Sequence, residues 1–157
     1  MSRRGFSLVE MVLVMVVIGL ATMIAIPRLR NVTDRANVRG ARGELMDLVT
    51  KARATAVARG CSATVNVTTG TSAKAWVTTC KTTDVGAAGA ALDTVWIVDS
   101  LAVRWKVNIT SDVASITFDR RGLRTNYVLS TIRAQSTDAA AVLDSIQINQ
   151  VGKVLGR

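Results

Sequence analysis

Three features of the chain carry chemistry. The first is Glu10, the only charged residue in an apolar run covering residues 6–26. A carboxylate in a bilayer costs on the order of 3 kcal/mol, so it calls either for a partner that the run itself does not contain or for snorkelling to the headgroups about 6 Å away at the helix end. The second is the pair Cys61 and Cys80, too few cysteines for a Cys-based zinc site but enough for one cystine. The third is positive charge: 20 Lys+Arg against 11 Asp+Glu give a formal charge of +9. That charge permits contact with nucleic acid or anionic lipid, and it equally fits solvated basic faces on an exported protein. Histidine is absent. Ser-His-Asp and Cys-His nucleophiles, His-based zinc sites and the usual general base near neutral pH are excluded with it. Carboxylates occur without a distinctive local pairing. The chain reads as a non-enzyme with no cofactor and no metal.

The element that positions Glu10 is a helix. Residues 6–26 form a stretch of 21 residues that spans about 30 Å as a helix, one hydrocarbon thickness. Arg3 and Arg4 precede it, and Arg28 and Arg30 follow Pro27. A secretory signal would have a shorter apolar region and a small-residue cleavage site, and neither is present. A twin-arginine signal fits "SRRGFSL" but needs the same cleavage site. The remaining reading removes "MSRRG" as a short leader and keeps the apolar run as an anchor. Gly19 adds backbone freedom to that run, and Pro27 removes a donor, so both are candidate kink positions.

Beyond residue 27 the texture becomes amphipathic. Leu29, Val32 and Ala36 follow i, i+3, i+7, and Leu45, Leu48, Val49, Ala52 and Ala56 continue the stripe. Arg28, Arg30, Arg35, Arg39 and Arg42 make the other side basic, as suits a face near anionic headgroups. Gly40 and Gly43 weaken the middle, and Gly60 ends the helix with Arg59 well placed against its dipole. Val, Thr, Ile and Trp in short runs then read as antiparallel strands. Folding "CSATVNVTTGTSAKAWVTTC" about residues 69–72 sets Cys61 opposite Cys80, Val65 opposite Trp76 and Val67 opposite Lys74, so a cross-strand cystine is within reach. "DVGAAGAALD" reads as an exposed loop. "TVWIV", "LAVRWKVNI", "ASITF", "YVLSTIRA" and "DSIQINQVGKVL" read as strands, with "DRRGLRTN" as a turn and a polar loop near residues 135–138.

"RRG" followed by "FSLVEMVLVMVVIGLATMIAIPRL" resembles the N-terminus of type IV prepilins and type II secretion pseudopilins. The resemblance implies cleavage by a prepilin peptidase between Gly5 and Phe6, N-methylation of Phe6, and pairing of Glu10 with a neighbour's N-terminal amine during assembly. It divides the chain into a leader (1–5), a transmembrane or filament-core helix (6–27), an amphipathic stem (28–60) and a β-rich domain (61–157). The implied fold is α+β and pilin-like, a long N-terminal helix packed on an antiparallel sheet domain. The implied setting is the inner membrane, spanned once, with the globular domain in the periplasm and then in a pilus or pseudopilus. Partners would be other pilins, the peptidase and an inner-membrane assembly platform. "ITFDRRGLR" with Phe118, Asp119 and Gly122, and Gly152, Lys153 and Val154 near the end, resemble the GspH/FimT-type minor subunits. Some of that group bind DNA through a basic C-terminal stretch. Here Arg120, Arg121, Arg124, Lys153 and Arg157 would supply the charge, with no second arginine where "VL" stands.

Overall fold

In the computed structural model, described for residues 7–81, 91–126, 128–138 and 142–156, the chain falls into two compact units, Met1–Thr33 and Asp34–Arg157. The first unit holds the opening turns of α1 (Leu8–Arg59), whose apolar side chains from Leu8 to Ile26 are all exposed. The apolar and amphipathic parts expected on either side of residue 27 lie on one helix, and α1 is helical through Gly19 and Pro27 without a break. Thr22 Oγ1 donates to the Gly19 carbonyl at 2.9 Å, a local bond that satisfies the hydroxyl inside the apolar stretch.

The second unit is α+β. Its strands are β1 (Ala63–Val67), β2 (Ala75–Cys80), β3 (Leu92–Val98), β4 (Val107–Ser111), β5 (Ser115–Phe118), β6 (Ser130–Ser136), β7 (Leu143–Ile148) and β8 (Val154–Gly156), with a short helix α2 (Leu101–Trp105) before β4. They build two antiparallel four-stranded sheets, ordered β3-β2-β1-β5 and β4-β6-β7-β8. A single bridge, Gly70 to Ile109, ties the first sheet's hairpin loop to the second sheet's edge. Strand alternation is clean: Ala63, Val65 and Val67 face inward, while Thr64 and Asn66 face out. On the outer face of the first sheet Thr94, Thr78, Thr64 and Thr117 lie opposite one another in consecutive strands, and Thr64 and Thr117 share a hydrogen bond of 3.0 Å.

One core serves both sheets. From α1 it takes Val38, Ala41, Leu45, Leu48, Val49, Ala52 and Ala56, and from the strands Val65, Val77, Ile109, Ile116, Phe118, Ile132, Ile146 and Ile148, all at most 2 % exposed. The later half of the expected stripe is thus the packed face. Its earlier half is not. Leu29, Val32 and Ala36 are exposed, and Asp34, Val38 and Ala41 are buried instead. Both sets repeat at helical spacing. Only Val38 and Ala41 are in phase with Leu45 and Leu48, so the sheets select that face. Gly60 ends α1 at φ +64, and Arg59 Nη1 donates to the Cys80 carbonyl (2.9 Å) and to Asp93 (3.1 Å).

Two expectations about the strands change. The β1–β2 register pairs Val65 with Val77 and Val67 with Ala75, one residue away from the pairing about residues 69–72. Ala73 is completely buried, and the loop closes between Thr68 and Lys74 through Thr68 N–H to Lys74 O (2.9 Å) and Lys74 N–H to Thr68 Oγ1 (2.7 Å). An extra loop residue moves every pair by one. "LAVRWKVNI" is not one strand: its first half is α2 and its second half is β4. Leu101 and Trp105 stand four apart, so the alternation also satisfies a helical face, and Val103 is left 61 % exposed. Gln135 belongs to β6 rather than to a loop. Most of "DVGAAGAALD" lies outside the described residues, and its last two residues begin β3.

Candidate functional site

Glu10 lies in the first turn of α1, where a carboxylate is favoured by the helix dipole. The backbone there is fixed by Glu10 N–H and Met11 N–H donating to the Ser7 carbonyl at 3.1 and 3.3 Å. Its side chain is exposed among exposed Leu8, Val9, Met11 and Leu13, and no described residue pairs with it. α1 is long and apolar enough at this end to cross a membrane. Gly5 and Phe6 lie outside the described residues. Among the described residues, the arrangement is a carboxylate without a partner on an exposed apolar helix surface.

Residues 118–124 form a self-contained turn. Asp119 N–H donates to the Leu123 carbonyl (2.7 Å), and Gly122 N–H donates to the Asp119 carbonyl (2.8 Å). The Asp119 carboxylate accepts from Leu123 N–H (2.8 Å), Arg121 N–H (2.9 Å) and Arg121 Nε (3.2 Å). The Leu123 bond is the largest cause holding its carboxyl below the ordinary 3.8; desolvation opposes it, and the hydrogen bonds and charge of Arg121 add to the lowering. Gly122 has φ +74, and a Cβ there would meet Val57 and Arg53 of α1 at 3.0–3.2 Å, so the glycine lets the turn lie against the helix. A Cβ on Gly152 (φ +85) would stand 2.8 Å from the Phe118 ring, which is fully buried. The two motifs read separately from the sequence therefore meet: Phe118 lies beneath Gly152, and Asp119 and Gly122 build the turn beside it.

The basic residues divide. Arg120 and Arg121 are exposed on the turn, and Lys153 is exposed, its N–H donating to Asn149 Oδ1 at 2.7 Å. Arg157 lies outside the described residues. Arg124 does not belong with them. It is 3 % exposed and its guanidinium donates to Ile148 O (3.1 Å), to Ser130 Oγ (2.8 Å) and to Val128 O. Burial pushes its pKa down, and its two Nη atoms bridge the end of β7 to the start of β6 and the residues just before it, while its Nε is buried without a partner among the described residues. Arg42 likewise leaves the solvated face of α1. It donates to Asp144 Oδ2 at 2.9 Å, and its guanidinium occupies the space a side chain on Gly156 would need. Arg28, Arg30, Arg35 and Arg39 remain exposed.

Cys61 and Cys80 are joined in a disulfide, with Cα atoms 6.3 Å apart. It connects the residue after Gly60 to the last residue of β2. Sequence reasoning missed Glu44. This residue of α1 accepts from Arg104 Nη1 and from Trp105 Nε1, each at 2.7 Å, and holds α2 against α1. Gly40, one turn earlier, seats the Trp105 ring, where any Cβ would collide. A glycine in mid-helix four residues before a glutamate was the available signal. Among the described residues no group of three His, Cys, Asp or Glu is placed to hold a metal.

The prokaryotic N-terminal methylation motif family matches residues 1–26. Among solved structures the chain is similar to the type IV minor pilin FimU of Pseudomonas aeruginosa in two crystal forms. In the first the TM-score is 0.61 at 16% identity, covering 80% of this chain and 91% of FimU. In the second it is 0.58 at 14% identity, covering 76% and 91%. No curated protein matches the chain significantly. At these identities the likeness to FimU is one of fold.

Proposed function

We propose that this type IV minor pilin-like chain, with its prepilin methylation motif, is cut between Gly5 and Phe6 and enters a pilus or type II secretion pseudopilus as a minor subunit at the tip or in initiation. The observation that carries the reading is Glu10, exposed in the first turn of an exposed apolar helix and inside the matched motif. Removal of the leader creates an α-amine at Phe6 that is cationic near neutral pH, and methylation keeps that charge. An amine on a neighbouring subunit neutralises Glu10 where water is scarce, and the exposed apolar side chains of residues 8–26 gain the burial they lack in the free chain. Before assembly the same segment is a single-pass anchor in the inner membrane, with the globular domain in the periplasm. Pro27 has no donor and Gly19 adds freedom, so these are the positions where the helix loosens on packing. The partners are other pilins, a prepilin peptidase and an inner-membrane platform, and the role is structural rather than catalytic.

Mass spectrometry of the mature chain tests this. An N-methylated Phe6 is expected, and an intact Met1 or a cut beyond Ile26 would overturn it. DNA capture is a second reading, supported by the closeness of Gly152 to Phe118, which brings the turn carrying Arg120 and Arg121 beside that carrying Lys153. Its signature is a salt-dependent gel shift that weakens on replacing Lys153, Arg120 and Arg121, with each lost phosphate contact reducing the salt slope by about 0.9.

A further inference from the structure

We propose that residues 100–106 are a two-state segment: a short helix latched to α1 by Glu44, and a strand that continues β4 when the latch opens. Four observations carry this. The helix is bracketed by Ser100 (φ 58) and Lys106 (φ 49), both non-glycine residues in the left-handed region, so both ends hold backbone strain. Its sequence alternates: Leu101, Val103 and Trp105 run in phase with Val107 and Ile109 of β4, and the helical form leaves Val103 on the surface. The ladder for the strand form has already begun. β4 pairs Val107 with Ser136, and Thr137 N–H donates to the Lys106 carbonyl at 3.0 Å, one residue beyond the strand. Continued in the same register, the strand sets Lys106 opposite Thr137 and Trp105 opposite Asp138, and it brings Val103 to the inner face.

The helix is held against this by side chains rather than by length. It has only five residues, its N-cap Ser100 makes no side-chain cap bond, and Arg104 N–H donates to Ser100 O at 2.8 Å. Glu44 supplies the two short bonds to Arg104 and Trp105, and Gly40 seats the indole. Leu101 and Ala102 are buried, and Ala102 N–H reaches the Ala73 carbonyl at 3.4 Å, so the start of the segment is the pivot and its end is what moves. β4 is an edge strand of the second sheet. The switch therefore sets how far this edge strand runs beyond its bridge to Gly70, and it is operated from α1, the element that filament packing would load under the proposed function.

The test is NMR on the labelled full-length chain in detergent micelles, comparing wild type with Glu44→Ala and Glu44→Gln. The Cα and Cβ shifts of residues 103–106 are expected to move from helical toward strand values in both variants. The Arg104 amide is expected to exchange about tenfold faster, with β1 and β2 unchanged. Ser100→Gly and Lys106→Gly should act oppositely, relieving the left-handed strain and slowing Arg104 exchange about fivefold. Helical shifts retained in both Glu44 variants, or shifts that settle at coil values, would overturn the proposal.

Discussion

Replacing Arg124 by methionine separates a structural arginine from a phosphate-binding one. The guanidinium is 3 % exposed and donates to Ile148 O, Val128 O and Ser130 Oγ. A buried acceptor stripped of its donor costs about 1–3 kcal/mol; the Ile148 carbonyl is stripped in full, the part-buried Val128 carbonyl in part, and the Ser130 oxygen loses a donor while keeping its own O–H. Methionine removes the need to desolvate a charge, which returns part of that loss. The balance is a destabilisation of about 2–4 kcal/mol. In a domain of this size that lowers Tm by about 10 °C. Thermal melts of the full chain in detergent, followed by near-UV circular dichroism, read the effect directly. Arg120→Ala and Arg121→Ala, on exposed side chains, should stay within about 0.5 kcal/mol of wild type. If Arg124→Met melts together with those two, or if it lowers the salt slope of DNA binding while leaving Tm alone, the assignment of Arg124 to the fold is refuted.

Two further outcomes follow from the same region of physics. Asp119 has a depressed folded pKa, led by the Leu123 N–H, so its contribution is complete above the ordinary 3.8 and drains away as pH falls from there through the folded value. The pH dependence of stability between those two values should therefore flatten in Asp119→Asn, and a slope equal to wild type would contradict the turn's bonding. Replacing Cys61 and Cys80 together by serine opens a closure with a sequence separation of 19, which should cost about 3 kcal/mol in urea melts, and a midpoint unchanged from the oxidised wild type would show the bond to be idle.

What could be read in advance depended on how far a signal acts along the chain. The spacing of Gly5, Phe6 and Glu10 is covalent and local, and it led to the matched motif without any knowledge of packing. Strand existence was equally local except in "LAVRWKVNI", whose alternation also fits the helix α2. Register was not: Ala73 is buried and its carbonyl accepts from Ala102 of α2, far along the chain, so no count of turn residues could include it. The stem carries two apolar stripes, and only the sheets decide between Leu29, Val32, Ala36 and the set that includes Val38 and Ala41. Charge was the least legible property. Arg42 and Arg124 look like Arg35 and Arg120 in sequence, yet Asp144 draws Arg42 into a half-buried ion pair and the Ile148 carbonyl holds Arg124 in the interior, each partner distant along the chain.

The cystine at the end of α1 has a mechanical meaning. Under the proposed function, a subunit held in a fibre by its helix would receive tension along α1, and at Gly60 that tension would leave the helix. Cys61–Cys80 places a covalent link one residue later, joining the helix exit to the last residue of β2, while Arg59 ties the same point to Asp93 of β3. Load is thereby shared across three strands at their common end instead of peeling β1 away rung by rung. Strands pulled in shear break many bonds together, whereas a strand pulled at its tip breaks them singly. The disulfide turns a zipper into a lap joint.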